Sequence, residues 1–158
     1  MSDPPWDDGR LPAPVLPFSR TFESYLQLEW LELTPTSAHV RFQARDELKQ
    51  PLGLLHGGIY SAVAETIASV ATVHEVWNDG MIGSGLSNSA SFLRPVTGGI
   101  VDVTARLRHA DEREWFWSLD FRDEHDRLCA MVDVVIAVRP VAGPRGAQPS
   151  DRESDLSA

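Results

Sequence analysis

One apolar stretch constrains the fold more than any other part of the sequence: residues 54–71, LLHGGIYSAVAETIASVA. After its glycine pair it contains no helix breaker, and apolar residues occupy nearly every side of the helix that it predicts. A helix that is apolar all round is normally buried. Glu65 is the only acid in this stretch, and a buried carboxylate is costly unless it is paired, hydrogen-bonded or used in chemistry. We therefore expect a central helix around which the rest of the chain is wrapped.

The remaining elements are predicted to be strands. The helix should run from about His56 to His74 or Trp77, where an Asn-Asp-Gly turn follows. A shorter helix is predicted over 18–26, with Ser19 as its N-cap. Because one long helix can cover one sheet face, the predicted fold class is α+β, with a curved antiparallel sheet of about six strands. The strands are predicted at 28–33, 38–44, 81–93, 100–108, 114–122 and 128–138.

The length of 158 residues fits one domain with a proper core. Residues 1–17 are rich in Pro, Asp and Gly and are predicted to be a flexible arm, and 140–158 are predicted to be a disordered tail. The folded domain should therefore span 18–139. No alternation of strand and helix is present, and no glycine fingerprint follows a strand, which argues against a doubly wound nucleotide-binding fold.

Charge and cysteine content exclude several classes of protein. The formal net charge of −9 argues against a nucleic-acid binder, which would need Lys and Arg to neutralise phosphates. Cys129 is the only cysteine, so we expect neither an intramolecular disulfide nor a thiolate metal cluster, and its apolar surroundings predict a core residue. His74, His109 and His125 are scattered, and no metal site is expected. Without a signal peptide or an apolar run of about 18 residues, we expect a soluble cytoplasmic protein that binds no membrane.

Two motifs are found at 53–58 (GLLHGG), followed by Glu65, and at 91–96 (SFLRPV). The motifs and the distance between them in the sequence resemble those of the hotdog-fold acyl-CoA thioesterases. The resemblance covers about 18–139 and is closest to the phenylacetate-degradation and 4-hydroxybenzoyl-CoA thioesterase group. Many members carry Asp and Asn where this chain has Glu65 and Gln50, and the Gln and Glu pair resembles the Arthrobacter-type enzymes. The resemblance implies a long helix wrapped by a curved sheet, an aryl- or medium-chain acyl-CoA substrate and no cofactor.

Thioester hydrolysis needs a nucleophile or base, and donors for the oxyanion that develops on attack. The start of a helix offers unpaired N–H groups and a partial positive charge. Gly57 and Gly58 lack side chains that would keep a carbonyl oxygen away. We therefore assign the Gly57 N–H as oxyanion donor, a contribution of about 3 kcal/mol by analogy with other oxyanion holes. Glu65 would be nucleophile or general base, and the sequence leaves both mechanisms open.

The resemblance implies roles for further residues. Gln50 would orient the carbonyl or the water, and Ser69 would hold water or the Glu65 carboxylate. His56 is expected to position the loop by hydrogen bonding, with proton transfer as the alternative. Arg94 matches a position used for a CoA phosphate. The groove for the pantetheine arm is predicted beside the small residues of the third strand, and its lining residues include Gly58, Ser89 and Ser91.

Spacing along the helix also bears on the number of subunits. Nine residues separate His56 from Glu65, about 13 Å at 1.5 Å per residue. One carbonyl cannot touch both ends of that span in a single subunit. Family members place the site across a dimer interface, so we expect a homodimer with shared sites, with two dimers forming a tetramer. Joining the sheets of two subunits would also remove exposed edge strands.

Three alternatives remain open. Glu65 could instead be a buried acid paired with a core arginine. The protein could be a non-catalytic acyl-CoA-binding sensor, although regulators on this fold usually carry a DNA-binding domain, for which the arm before residue 18 is too short and acidic. It could also be a hotdog hydratase or dehydratase, which pairs a catalytic His with an acid in a different motif. The absence of a proline after the glycine that follows His56 speaks against that class.

Overall fold

The fold is a single long helix held against one six-stranded sheet. A computed structural model describes residues 16–141, so most of the predicted arm and tail lie outside the described residues. The helices are α1, Phe22–Leu26, and α2, Gly57–Val76. Single turns of 3-10 helix occur at Phe18–Arg20, Asp46–Leu48 and Trp77–Asp79. The strands are β1, Glu29–Thr34; β2, Ser37–Gln43; β3, Met81–Phe92; β4, Ile100–Ala110; β5, Glu114–Arg122; and β6, Leu128–Pro140.

The six strands form one antiparallel sheet in the order β1-β2-β4-β5-β6-β3. This confirms the predicted α+β class and the number of strands. β6, the most continuously apolar strand, lies inside the sheet between β5 and β3, and its inward-facing residues are buried. β3 is an edge strand, and most of its residues are exposed. The free edge of β3 is therefore an open surface next to α2.

The core lies between α2 and the inner face of the sheet. Alternate residues of β2, β4 and β5 point inward and are buried, as the alternating sequence predicts. Trp117 donates its indole N–H to the hydroxyl of Thr72 on α2 at 3.0 Å, and both groups are buried. Cys129 is fully buried, which confirms its predicted place in the core. Burial raises the pKa of the Cys129 thiol, so it stays protonated at neutral pH.

Helix α2 is buried on only part of its circumference. Val63, Ala64, Ile67 and Ala68 are fully buried, but Glu65 is exposed. The expectation that the helix is buried on every side is therefore wrong for a single chain. One sheet curls around only part of a helix, and the remaining face stays open. The exposed and half-buried residues of that face are Gly58, Ser61, Ala62, Glu65 and Ser69.

The predicted N-cap of the first helix is also wrong. Residues Phe18–Arg20 form a 3-10 turn, so the α-helix begins only at Phe22. Thr21 is the N-cap, and its hydroxyl accepts from the N–H of Ser24 at 3.4 Å. Ser19 lies within the preceding turn and makes no such bond.

Candidate active site

The first turn of α2 presents one backbone donor without a partner. His56 is extended, with φ −66° and ψ 133°, and acts as the N-cap. The N–H of Gly58 donates to Nδ1 of His56 at 2.9 Å, and the N–H of Ile59 donates to the His56 carbonyl at 2.9 Å. Within residues 16–141 the N–H of Gly57 has no hydrogen-bond partner. This N–H, at the positive end of the helix dipole, is available to an electron-rich oxygen.

The ring of His56 caps the start of helix α2. Because Nδ1 accepts from the Gly58 N–H, the proton of the neutral ring lies on Nε2. A protonated ring would lose this acceptor and the cap with it. The geometry therefore favours positioning of the glycine turn over proton transfer as the role of His56.

The loop before α2 places Gln50 beside this turn. The Gln50 N–H donates to the carbonyl of Leu54 at 2.8 Å, and its side-chain oxygen accepts from Leu52 N–H at 3.3 Å. Its NH2 group has no partner within the described part of the chain, so it can donate to a ligand. Leu55 N–H donates to the carbonyl of Val96 at 2.8 Å, which joins this loop to the segment after β3.

Arg94 lies in that segment, two residues before Val96. Its N–H donates to the carbonyl of Cys129 at 3.0 Å, while its side chain is exposed. It forms no ion pair with any residue in the described range 16–141. The guanidinium is therefore free to meet an anionic group of a ligand.

An aromatic ring covers the free donor from one side. The ring of Phe92 lies so close to Gly57 that a Cβ there would be 3.1 Å from it. Its centroid is 5.7 Å from that of Tyr60, and 58% of Phe92 is exposed. Burial raises the pKa of Tyr60 to about 12, so its phenol stays neutral and does not act as a base. Sequence reasoning missed Phe92, because nothing local indicates which residue of a strand end meets the helix.

Glu65 lies two turns further along the open face of α2. It forms no ion pair with an arginine among residues 16–141, and it is exposed, so the alternative of a buried acid paired with a core arginine is wrong. Its carboxylate lies against the backbone of Gly85 in β3, where a Cβ would be 2.8 Å from Oε1. Ser69 is one turn beyond Glu65, and it is half-buried. Asn88 donates its side-chain N–H to the carbonyl of Ser61 at 2.9 Å and ties β3 to this part of the helix.

The serines of β3 face the other side of the sheet. Ser89 and Ser91 pair with Asp133 and Met131, which are exposed on the outer face, whereas Phe92 points inward to Gly57. The structure therefore does not bring the Ser89 and Ser91 side chains together with Glu65.

On the helix side, the space beside Gly83 in β3 is already occupied. A Cβ at Gly83 would lie 2.9 Å from Ile136 and 3.1 Å from Thr72, so the protein's own side chains fill that space. The predicted pantetheine groove beside this strand, between two subunits, stays a prediction.

The two functional ends of α2 are well separated in one chain. The helix is continuous from Gly57 to Val76, so eight residues and about 12 Å of rise separate Gly57 from Glu65. Gln50, His56 and Gly57 belong to the first end, and Glu65 and Ser69 to the second. A single thioester carbonyl cannot contact both ends of one copy.

Two other kinds of site receive no support from the described residues. Within 16–141, no group of three or more His, Cys, Asp or Glu side chains is arranged to hold a metal ion. In the same range, no helix is both long and apolar enough to cross a membrane.

Comparison with known proteins gives consistent results. A family model described as the thioesterase superfamily matches residues 52–130. A Mycobacterium tuberculosis protein named as an esterase is 36% identical over 121 residues, covering 75% of this chain and 86% of that protein. The proofreading thioesterase EntH of Cronobacter turicensis is 30% identical over 118 residues, covering 75% and 85%. The 1,4-dihydroxy-2-naphthoyl-CoA hydrolase of Listeria monocytogenes is 28% identical over 112 residues, covering 71% and 90%.

Solved structures share the fold. The structure of the Mycobacterium tuberculosis esterase superposes with a TM-score of 0.73 at 32% identity, covering 77% of this chain and 98% of that chain. A thioesterase of Haemophilus influenzae superposes with a TM-score of 0.73 at 28% identity, covering 81% and 89%.

Proposed function

The chain belongs to the thioesterase superfamily, and we propose that it is a thioester hydrolase that cleaves an acyl-CoA into a free acid and CoA. Its long helix wrapped by an antiparallel sheet is the hotdog fold. Support for a CoA ester comes from the relatives that are named as thioesterases, one of which is named as a CoA hydrolase. We place the enzyme in the cytoplasm.

One observation carries the proposal: the Gly57 N–H, which has no partner among residues 16–141, lies at the start of the same continuous helix that carries the exposed carboxylate of Glu65. The N–H of Gly57 is suited to an oxyanion, and Glu65 is suited to activating a nucleophile. Because about 12 Å of helix separates them, the proposed site combines Gly57 of one copy with Glu65 of a second copy.

The second copy would dock on the open face of α2 and the free edge of β3. Exposed apolar side chains flank this edge, with Leu86 at 56% and Phe92 at 58% exposure. Pairing two edge strands would satisfy their free backbone groups and cover these side chains. We propose a dimer with two shared sites and, as in the family that the sequence resembles, a tetramer of two such dimers.

The proposed reaction begins with the thioester oxygen at the N–H of Gly57. In one mechanism Glu65 takes a proton from water as the water attacks the carbonyl carbon, the C–S bond breaks, and the proton passes to the departing sulfur. In the other, the Glu65 carboxylate attacks first and expels the thiolate, and water then cleaves the anhydride. In both, Gly57 stabilises the oxyanion, Gln50 donates to the carbonyl or the water, and Ser69 holds water or the carboxylate.

The acyl group would lie next to Phe92. This exposed ring borders the Gly57 N–H, and Tyr60 packs behind it, so a ligand carbonyl at that N–H would meet an apolar wall. Such a wall favours an aryl or medium-chain acyl group, as in the phenylacetate and 4-hydroxybenzoyl-CoA group. Gly58 would leave room for the ligand at the helix start. Ser89 and Ser91 would contribute through the backbone of the edge strand, because their side chains face away.

Arg94 is proposed to bind a phosphate of CoA. We expect Arg94→Ala to raise KM for CoA esters about 10-fold, a typical cost for losing one charge-assisted contact, with little change in kcat. Steady-state kinetics with a CoA ester and with the matching pantetheine thioester, which lacks the distal phosphates, would measure this. Arg94→Lys should restore part of the loss, and equal effects on both substrates would remove Arg94 from this role.

The proposed function itself is tested with a panel of thioesters. Purified protein should release thiol from at least one of benzoyl-, 4-hydroxybenzoyl-, phenylacetyl- and hexanoyl-CoA, followed with a thiol-reactive dye. Saturable binding of these esters without thiol release would favour the acyl-CoA-binding sensor instead. Hydration of an enoyl-CoA would favour the hydratase class. It would be detected as a loss of the absorbance of the conjugated double bond.

A further inference from the structure

The carboxylate of Glu65 rests directly on the main chain of β3. A Cβ at Gly85 would lie 2.8 Å from Oε1 and 3.2 Å from both Cδ and Cγ of Glu65. Side chains do not approach a Cβ as closely as 2.8 Å, so only glycine permits this position of the carboxylate. Glycine inside a strand is otherwise unfavourable, and it commonly marks a close approach of this kind.

The strand is irregular at this point. The register between β3 and β6 shifts between Gly85 and Ser87, so Leu86 is an extra residue on the edge strand. Such bulges redirect side chains, and they are frequent next to active sites. The irregularity places the Gly85 backbone under Glu65 and leaves Leu86 exposed.

Contacts on both sides of Gly85 hold the strand beside the helix. On one side, Gly83 pairs with Val138 in the ladder to β6, which keeps β3 in the sheet. On the other side, Asn88 donates to the carbonyl of Ser61, one turn before Glu65. A side chain at position 85 would therefore move the flexible end of Glu65 rather than β3.

We propose that Gly85 is a positioning residue that holds the Glu65 carboxylate in place by having no side chain. This inference rests on the proposed function, in which Glu65 is the nucleophile or base. An ordinary contact with a methyl group at Gly85 would displace Oε1 by about 0.6 Å, from 2.8 to 3.4 Å, and misplacement of a reacting group by about 1 Å can cost on the order of 100-fold in rate. Gly85 does not have a positive φ, so alanine fits the backbone and removes unfolded-state entropy.

Gly85→Ala tests the proposal. We expect kcat to fall about 10- to 100-fold, with KM for the best panel ester unchanged within about 2-fold and a thermal midpoint no lower than wild type. Gly98→Ala is the matched control, because a Cβ there would meet nothing within 4 Å and its φ is not positive. In a crystal structure of G85A, the Glu65 carboxylate should be displaced while β3 stays in place.

A second comparison shows whether Gly85 acts through Glu65. In single-turnover assays, G85A should cause no further loss in a Glu65→Gln background, because the group that it displaces is already inactive. The inference is wrong if G85A keeps the wild-type kcat or fails to fold. It is also wrong if adding G85A to the Glu65→Gln variant lowers the single-turnover rate further. Failure of the proposed function would look different, because the wild-type protein itself would then release no thiol. That result would also remove the basis of the inference.

Discussion

Replacing Glu65 with glutamine is expected to lower kcat about 100- to 10,000-fold while leaving acyl-CoA binding unchanged, because this is the typical contribution of a general base. Glutamine has the size and shape of glutamate, so it should keep the contact with Gly85 and the packing of α2. It can neither accept a proton from water nor attack the carbonyl carbon. Both mechanisms proposed for this site therefore predict a large loss of kcat.

Single-turnover rates with the best panel ester would measure that loss, and calorimetric titration with a non-hydrolysable thioether analogue would measure binding. Glu75→Gln provides a matched control, since Glu75 lies on the same helix and contacts His74 rather than β3. An E65Q protein that retains more than a tenth of the wild-type kcat would exclude Glu65 from the chemistry.

The second large effect is expected at Gly57, where proline can remove one hydrogen-bond donor without breaking the helix. Gly57 is the first residue of α2, a position that favours proline because its N–H has no helical partner. His56 is already extended, as the residue before a proline should be. Gly57→Pro is therefore expected to fold, and to lose about 100- to 1,000-fold in kcat, the typical cost of removing one oxyanion donor.

Gly57→Ala is the control for G57P, because it adds a Cβ at the same position but keeps the N–H donor. Alanine keeps the N–H, and its Cβ meets the same Phe92 ring, which is flexible enough to move. The difference in kcat between G57P and G57A therefore reports the replacement of the N–H by the proline ring, separately from the effect of a Cβ beside Phe92. Equal rates for the two variants would show that this N–H is not the oxyanion donor.

Mixing the two inactive variants tests the shared site directly. In a dimer of G57P with E65Q, one site combines the intact Glu65 of the first chain with the intact Gly57 of the second. Refolding an equal mixture should restore about a quarter of wild-type activity, because half of the dimers are mixed and each has one good site. A mixture that stays as inactive as its components would place both groups in one subunit.

The sequence predicted the architecture well because the relevant patterns are local. The apolar run gave α2, and strand alternation predicted which residues of β2, β4 and β5 face the core. The N-cap of α1 was misplaced, since a preceding 3-10 turn uses Ser19. The exposure of Glu65 could not be read from composition, because it depends on how far the sheet wraps around the helix.

The site was harder to predict around β3. Its small residues alternate regularly, which suggests that the glycines and the serines share one face. The extra residue Leu86 reverses the alternation, so Gly83 and Gly85 face the helix whereas Ser89 and Ser91 face outward. The roles proposed for Phe92 and Gly85 could not be predicted for a related reason: each depends on a contact with α2 that only the tertiary structure creates.

The place of β3 in the sheet also bears on the order of folding. β3 follows α2 directly in the chain, yet its one strand neighbour among the described residues is β6, the last of the six described strands in chain order. Gly85 pairs with Ile136, so the surface that holds Glu65 has no lateral support until the nascent chain has extended past β6. Such long-range pairing closes late, because its loop entropy must be lost before its contacts form. An emerging chain would thus complete its hydrophobic helix early and acquire a correctly seated acid only once β6 has been synthesised and has paired with β3.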